Sequence, residues 1–253
     1  MAKRVSITAL IIGVCALVGA CQSEPSSGAT DGADILIFSH TTGWRHDSIE
    51  TGVEALTSLA QSKGYSVVAT EDPDIFSETS LDPFEAIILL NTTTGHDGDQ
   101  WFIGPRGEAL QDFVHDGKGI VAIHGAADSH YDWPWYGEMI GGWFEHHPPG
   151  TPTGTLTTLD HAHPSTENLP DRFSRTDEWY WIDGFTVPGG LLVTLDPASI
   201  GEEGEAKPIS WWHEFESGRV FYTAMGHTKE SYADPLFLSH VEGGLDWTLG
   251  KAD

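Results

Sequence analysis

The sequence predicts an α/β domain built on a doubly wound, mostly parallel sheet, and three observations predict it. In the first half, short unbroken apolar runs alternate with segments in which apolar residues recur at helical spacing. Unbroken apolar runs are the signature of strands buried on both faces, and their alternation with helices is the signature of parallel crossovers. Several of the runs pass straight into polar loops rich in histidine and glycine, as expected where ligands sit beyond the carboxyl ends of the strands of an open sheet.

The elements follow in order. Residues 34–38 (DILIF) form a buried strand that ends in Ser39 and His40. Ile49, Val53, Leu56 and Leu59 then mark a helix, with Asp47 and Glu50 at its start and Gly64 as its stop. Residues 65–69 are the second strand and 85–90 the third, followed by a polar loop over 91–98. A helix over 106–115 presents Leu110, Phe113 and Val114 on one face, and residues 119–123 run as a buried strand into His124 and Gly125.

The second half is less regular. Residues 128–154 are rich in Trp, His, Gly and Pro, and no regular element is expected there. Strands are expected at 191–195, 209–215 and 219–223, the last two joined by a hairpin turn at Glu216, Ser217 and Gly218. A final helix over 234–249 presents Leu236, Val241, Leu245 and Leu249 to the sheet.

The N-terminus reads as an export signal. MAKR is basic, and the apolar run from Val5 to Val18 is too short to span a bilayer. Leu17-Val18-Gly19-Ala20-Cys21 resembles the lipobox of bacterial lipoproteins, which implies a signal peptide over 1–20, lipid on Cys21, a flexible tether over 21–33 and one domain over 34–250. The alternative is an ordinary secretory signal with an incidental Cys21. On the first reading the chain is held at the cell envelope, on the periplasmic face or outer membrane, with the lipid bilayer as a partner. Cys15 leaves with the signal, so the mature chain holds one thiol and no internal disulfide.

Twelve Lys and Arg against 38 Asp and Glu give a formal charge of −26. Nucleic acid is thereby excluded as a partner, because phosphate binding needs a basic surface. The ten tryptophans, several of them in polar Gly/Pro-rich segments, suit the faces of sugar rings or an aromatic core.

Three predicted strands end in a histidine: His40, His124 and His227. Imidazole exchanges protons near neutral pH and also binds metals, and the spacing does not choose between these roles. The adjoining segments add Trp44, Arg45, His46, His96, Asp128, His130, the triplet Glu145-His146-His147, Asp177 and Glu178. No H-E-x-x-H, G-x-G-x-x-G, Walker or G-x-S-x-G string occurs.

SHTTGWRHDSI, AIHGAADS, WPWYGEMIGGWFEHHP, TDEWYW and GRVFYTAMGHTKESYADP, in that order, resemble the ThuA-like family named for trehalose utilisation. The resemblance implies a flavodoxin-like fold of the class I glutamine amidotransferase type, in which His227 and Glu230 match the later histidine and glutamate. His124 stands at the position of the nucleophile, on a tight strand-to-helix turn. Without a cysteine there, amidotransferase chemistry is excluded.

The family further implies catabolism of trehalose-like disaccharides, acting on sugars oxidised to a keto form by a partner dehydrogenase. On that reading His124 and His227 are catalytic with Asp128 or Glu178 assisting, and Trp44, Arg45, His46, Trp135 and His146 bind the sugar. His40, His124 and His227 are alternatively ligands of a divalent metal ion. The competing expectation is a sugar-binding or scaffolding lipoprotein without chemistry.

Overall fold

The computed structural model describes residues 34–77 and 79–252. The expected signal, tether and Cys21 therefore lie outside the described residues. In the first half the apolar runs become strands and the periodic segments helices: β1 (Asp34–Phe38), α1 (Ile49–Ser62), β2 (Ser66–Thr70), β3 (Phe84–Leu90), α2 (Pro105–His115) and β4 (Gly119–Ile123). A short helix α3 (Pro134–Ile140) follows, then β5 (Trp143–His146), β6 (Thr153–Thr158), β7 (Arg172–Thr176), β8 (Trp181–Asp183), β9 (Gly190–Asp196), β10 (Lys207–Phe215), β11 (Gly218–Thr223) and α4 (Pro235–Thr248).

One nine-stranded sheet has the order β2-β1-β3-β4-β11-β10-β9-β6-β7. The first five strands are mutually parallel, and β10, β9, β6 and β7 continue the sheet in antiparallel fashion. From β1 the chain crosses to β2 on one side, and from β3 it crosses to β4 on the other. Because such crossovers are right-handed, α1 and α2 cover opposite faces. Strand order reverses between β1 and β3, which opens a crevice at their carboxyl ends.

Every residue of β4 and all of β3 except Glu85 are buried, whereas β2, at the sheet edge, has none buried. The C-terminal hairpin turns at Glu216, whose φ of 52° is left-handed, and pairs Phe215 with Gly218. At the head of α1 the N-cap is Ser48, without a side-chain cap bond, and Glu50 pairs with Arg45.

The strands β5 to β8 and helix α3 were not expected. Only Leu156 is a large apolar residue in β6 (TGTLTT), and β7 (RFSRT) is a charged sheet edge. Neither offers an apolar run. Half of the ten tryptophans are buried in the core, Trp179 and Trp211 completely.

Helix α4 lies against β4 and β11, with Gly244 facing Phe221 of β11 and Gly243 facing the loop at Pro164. A Cβ at Gly243 would stand 2.3 Å from the Pro164 carbonyl oxygen, and one at Gly244 would stand 2.5 Å from the Phe221 ring. Gly243→Ala is therefore expected to destabilise the fold by about 1–3 kcal/mol through overpacking against backbone. Thermal unfolding checks this: the midpoint should fall by several degrees, and an unchanged midpoint would show that the helix seats elsewhere.

Candidate functional site

Four parallel strands deliver the site. The loop after β1 brings Trp44 and His46, the loop after β3 brings Asn91, β4 runs into His124, and β11 leads through Gly226 to His227. Glu178 arrives from the segment between β7 and β8.

His124 takes a left-handed φ of 46° immediately after β4. Such a conformation costs a side-chain-bearing residue roughly 1–3 kcal/mol and persists only where neighbours fix it. Here the Tyr222 hydroxyl donates to the His124 carbonyl at 3.0 Å, and the next amide, Gly125 N–H, donates to Asn91 Oδ1 at 3.2 Å. His124 Nδ1 lies 2.7 Å from the Ala224 carbonyl oxygen. A carbonyl only accepts, so Nδ1 carries the hydrogen and Nε2 turns its lone pair toward Glu178 and His227.

That lone pair stands 3.3 Å from Glu178 Oε2 and 3.3 Å from His227 Nδ1, while His227 Nδ1 is 3.1 Å from the same carboxylate oxygen. His46, only 2% exposed, completes the group, and one ligand atom from each of the four residues lies within 4.8 Å of every other. His46 Nδ1 is buried without a hydrogen-bond partner. So many lone pairs facing one another require a positive charge among them, either a proton or a metal ion.

The titration shifts follow from this crowding. Burial opposes the charge of Glu178, yet hydrogen bonds from His124, once a second proton sits on its Nε2, and from His227 outweigh it and hold the carboxyl well below its ordinary range. Burial also opposes a charged His227, and the bond to Glu178 raises its pKa all the same. His46 is pulled down to about 2, first by burial and then by the neighbouring imidazoles, so it stays neutral.

Three imidazoles and one carboxylate suit a divalent ion of the zinc type. A tetrahedral ion with bonds of about 2.0–2.2 Å spaces its ligands roughly 3.4 Å apart, close to the distances here. The outer contacts also match metal sites, where a histidine ligand donates its second nitrogen to a carbonyl or carboxylate. His124 does so to Ala224, and Glu178 Oε1 is met by His147 Nδ1 at 3.3 Å.

His46, Glu178 and His227 line a cleft of about 430 Å³ together with Trp44, Asp128, Phe144, His147 and Tyr180, and His124 lies buried behind them. Asp128 accepts a 2.6 Å hydrogen bond from the Tyr131 hydroxyl, and burial raises its pKa in spite of that bond. Trp44 is 70% exposed at the mouth.

The sequence matches the trehalose utilisation family, ThuA, over residues 34–248. The chain belongs to this family. A ThuA-like protein from Bacteroides uniformis ATCC 8492 has the same fold, at 22% identity and a TM-score of 0.73 over 91% of this chain and 97% of that one. Another, from Parabacteroides merdae ATCC 43184, superposes at 18% identity and 0.70 over 87% and 91%. No curated protein matches the sequence significantly.

The expected envelope location and lipid-mediated membrane partnership are corrected by this comparison. Two Salmonella typhimurium proteins named as cytoplasmic share the fold, each at 12% identity, with TM-scores of 0.59 and 0.61. The expectation rested on residues 1–33 alone. Among the described residues no helix is long and apolar enough to cross a membrane.

Of the residues singled out in this ThuA sequence, the structure brings His46, His124, His227, Glu178, Asp128 and Trp44 together. It does not bring His40 there as a metal ligand. The His40 ring packs edge-on against Trp101 at 4.9 Å, and the loop reaches the cleft only at His46. Arg45 is turned to the surface, bonded to Glu50 and Glu71. Trp135 hydrogen-bonds Glu216 and stacks on Trp133, away from the cleft. His146 is exposed beside Glu145 and Trp181, while its neighbour His147 faces Glu178. Glu230 is exposed, and Glu178 takes the place beside His227 that the resemblance assigned to it. Phe144 and Tyr180 were missed, because each belongs to a segment whose pairing was not visible.

Buried neutral histidines set the acid response. His46 is lowered to about 2, His130 to about 3 and His240 to about 4, in each case mainly by burial. Below the unfolded value of about 6.5 the unfolded chain binds protons these sites refuse, so stability falls with falling pH. Glu178, depressed, adds the same sign once pH drops below the ordinary carboxylate range. His227, raised, acts oppositely: its contribution is present below about 6.5 and is lost as pH rises through its folded value. Urea midpoints measured from pH 7.5 to 5 should therefore decline toward acid, and a flat profile would contradict the neutral burial of these rings.

Proposed function

We propose that this ThuA protein is an enzyme of disaccharide catabolism that moves a proton beside the carbonyl of a sugar or glycoside in its keto form. The observation that carries this reading is the convergence of His46, His124, Glu178 and His227 beside a cleft that three of them line together with Asp128 and the exposed Trp44. The family's name supports a sugar as substrate.

A carbonyl acidifies the neighbouring C–H bond, so a carboxylate can remove that proton. Asp128 supplies the carboxylate, and its burial-raised pKa suits it to both halves of the step. In isomerisation the electron pair left on carbon forms a C=C bond with the carbonyl carbon as the C=O π pair moves onto oxygen. The hydroxyl on the first carbon becomes the new carbonyl as its hydrogen passes to the former carbonyl oxygen. In elimination the electron pair forms a C=C bond with the adjacent carbon as the glycosidic C–O bond breaks. The proton held by Asp128 then passes to the second carbon or to the departing oxygen. Tyr131 holds the Asp128 carboxyl in place, and Trp44 offers a face for the sugar ring. A divalent ion held by His46, His124, Glu178 and His227 would polarise the carbonyl oxygen.

Elemental analysis of the purified chain, with an assay on keto-trehalose, tests the reading. The expected result is close to one divalent ion per chain, lost in His124→Ala and in Glu178→Gln. Asp128→Asn should keep the metal and lose at least 100-fold in kcat, in the range for removal of a general base. The reading is dropped if no keto-disaccharide is cleaved or isomerised with any common divalent ion, or if His124→Ala retains full activity.

A further inference from the structure

A second cleft, of about 400 Å³, lies beside the first turn of α2. Its walls come from the chain leading into that helix and from the segment 130–133. The two clefts share a loop. Asp128 faces the reactive cleft, and two residues on, His130 lines the second one.

His130 has no role in the chemistry proposed above, and its environment is costly. It takes a left-handed φ of 53°, is 1% exposed, and is enclosed by the rings of Trp101, Phe102 and Tyr136 at 4.7–5.0 Å. Its Nε2 has no hydrogen-bond partner. Buried polar atoms are partnered in the great majority of cases, and this one, itself closed off from solvent, marks an unfilled polar position behind the wall of the cleft. Burial lowers the pKa of the ring to about 3, so it stays uncharged.

The rest of the cleft indicates a ligand's chemistry. Phe102 and Trp133 supply aromatic surface, while Glu108, Asp132, Gln100 and Gln111 supply carboxylates and carboxamides. No basic residue lines it, so an anion is disfavoured. Aromatic faces edged by carboxylates and amides match a ring with an apolar face and a rim of hydroxyls.

We propose that this cleft binds a pyranose ring of a neutral saccharide, at a site separate from the His46–His124–Glu178–His227 centre. The proposal concerns binding alone and does not depend on turnover in the other cleft.

Calorimetric titration of the full chain with trehalose, maltose and cellobiose, and with glucuronate as an anionic control, tests it. The expected result is saturable binding of at least one neutral disaccharide, retained in His227→Ala. It should be weakened at least tenfold by Gln111→Trp, which fills the cleft from the surface of α2, and reduced by Gln100→Ala, a smaller change whose one loss inside the protein is the hydrogen bond to the Gly98 carbonyl. Glucuronate should not bind. Absence of binding by all three neutral sugars overturns the proposal. So does binding lost in His227→Ala but untouched by both glutamine variants, which would place the sugar in the reactive cleft only. Equal binding of glucuronate overturns the assigned chemistry.

Discussion

The buried carboxylate of Asp177 holds the reactive centre together. It is inaccessible to solvent and pairs with the guanidinium of Arg175 at 3.0 Å. It also accepts hydrogen bonds from the backbone amides of Gly226, His227 and Glu178 at 2.9–3.1 Å. One side chain thus fastens the end of β11 to the segment that carries Glu178. Removing one partner of a buried pair is strongly destabilising where the other charge is left without compensation; Arg175 keeps Asp234, so loss of Asp177 falls mainly on the three amides that it accepts from. The distance between His227 and Glu178 is in this sense set by Asp177.

Two adjacent acids consequently have opposite duties. Asp177 spends its lone pairs on backbone amides and the Arg175 guanidinium, and has none to offer a ligand. Glu178, one residue later, points the other way and meets three imidazoles instead. The protein carries a formal charge of −26, yet the centre itself gathers three neutral-capable bases and a single carboxylate. Its demand for positive charge is local, and the surface charge does not satisfy it.

The parallel half of the fold was legible because strands buried on both faces must be continuously apolar, as IVAI in β4 and AIILL in β3 are. His124 could be placed because β4 runs straight into it, and His227 because it follows the end of β11 by four residues. His40 misled for the same reason: it also ends a strand, but the loop after β1 turns through a bridge between Thr41 and Thr93 before His46 reaches the cleft. Glu178 was harder to rank above Glu230, since its position depends on a segment between β7 and β8 and on Asp177, neither of which leaves an apolar pattern. The assignment of His146 in place of His147 turned on one residue of register. His147 lies just past β5, and regular alternation from the cleft-lining Phe144 would put His146 on the same side, so the error could be removed only by knowing both β5 and the register shift between Phe144 and His146.

The position of His124 shows how a fold can keep a geometry while changing its chemistry. A tight turn directly after a buried strand projects one side chain into the crevice and holds it there at the expense of a left-handed φ. With a thiol at that position the turn presents a nucleophile. With an imidazole whose Nδ1 is bound to the Ala224 carbonyl, it presents a single directed lone pair. That lone pair is a poor starting point for acyl transfer, because no thiolate is available and the ring is fully buried. It is a good starting point for holding a cation or sharing a proton, since Glu178 and His227 converge on the same point. The strained turn is therefore accounted for without an amidotransferase reaction: it aims His124 Nε2 at the one place in the crevice where positive charge is required.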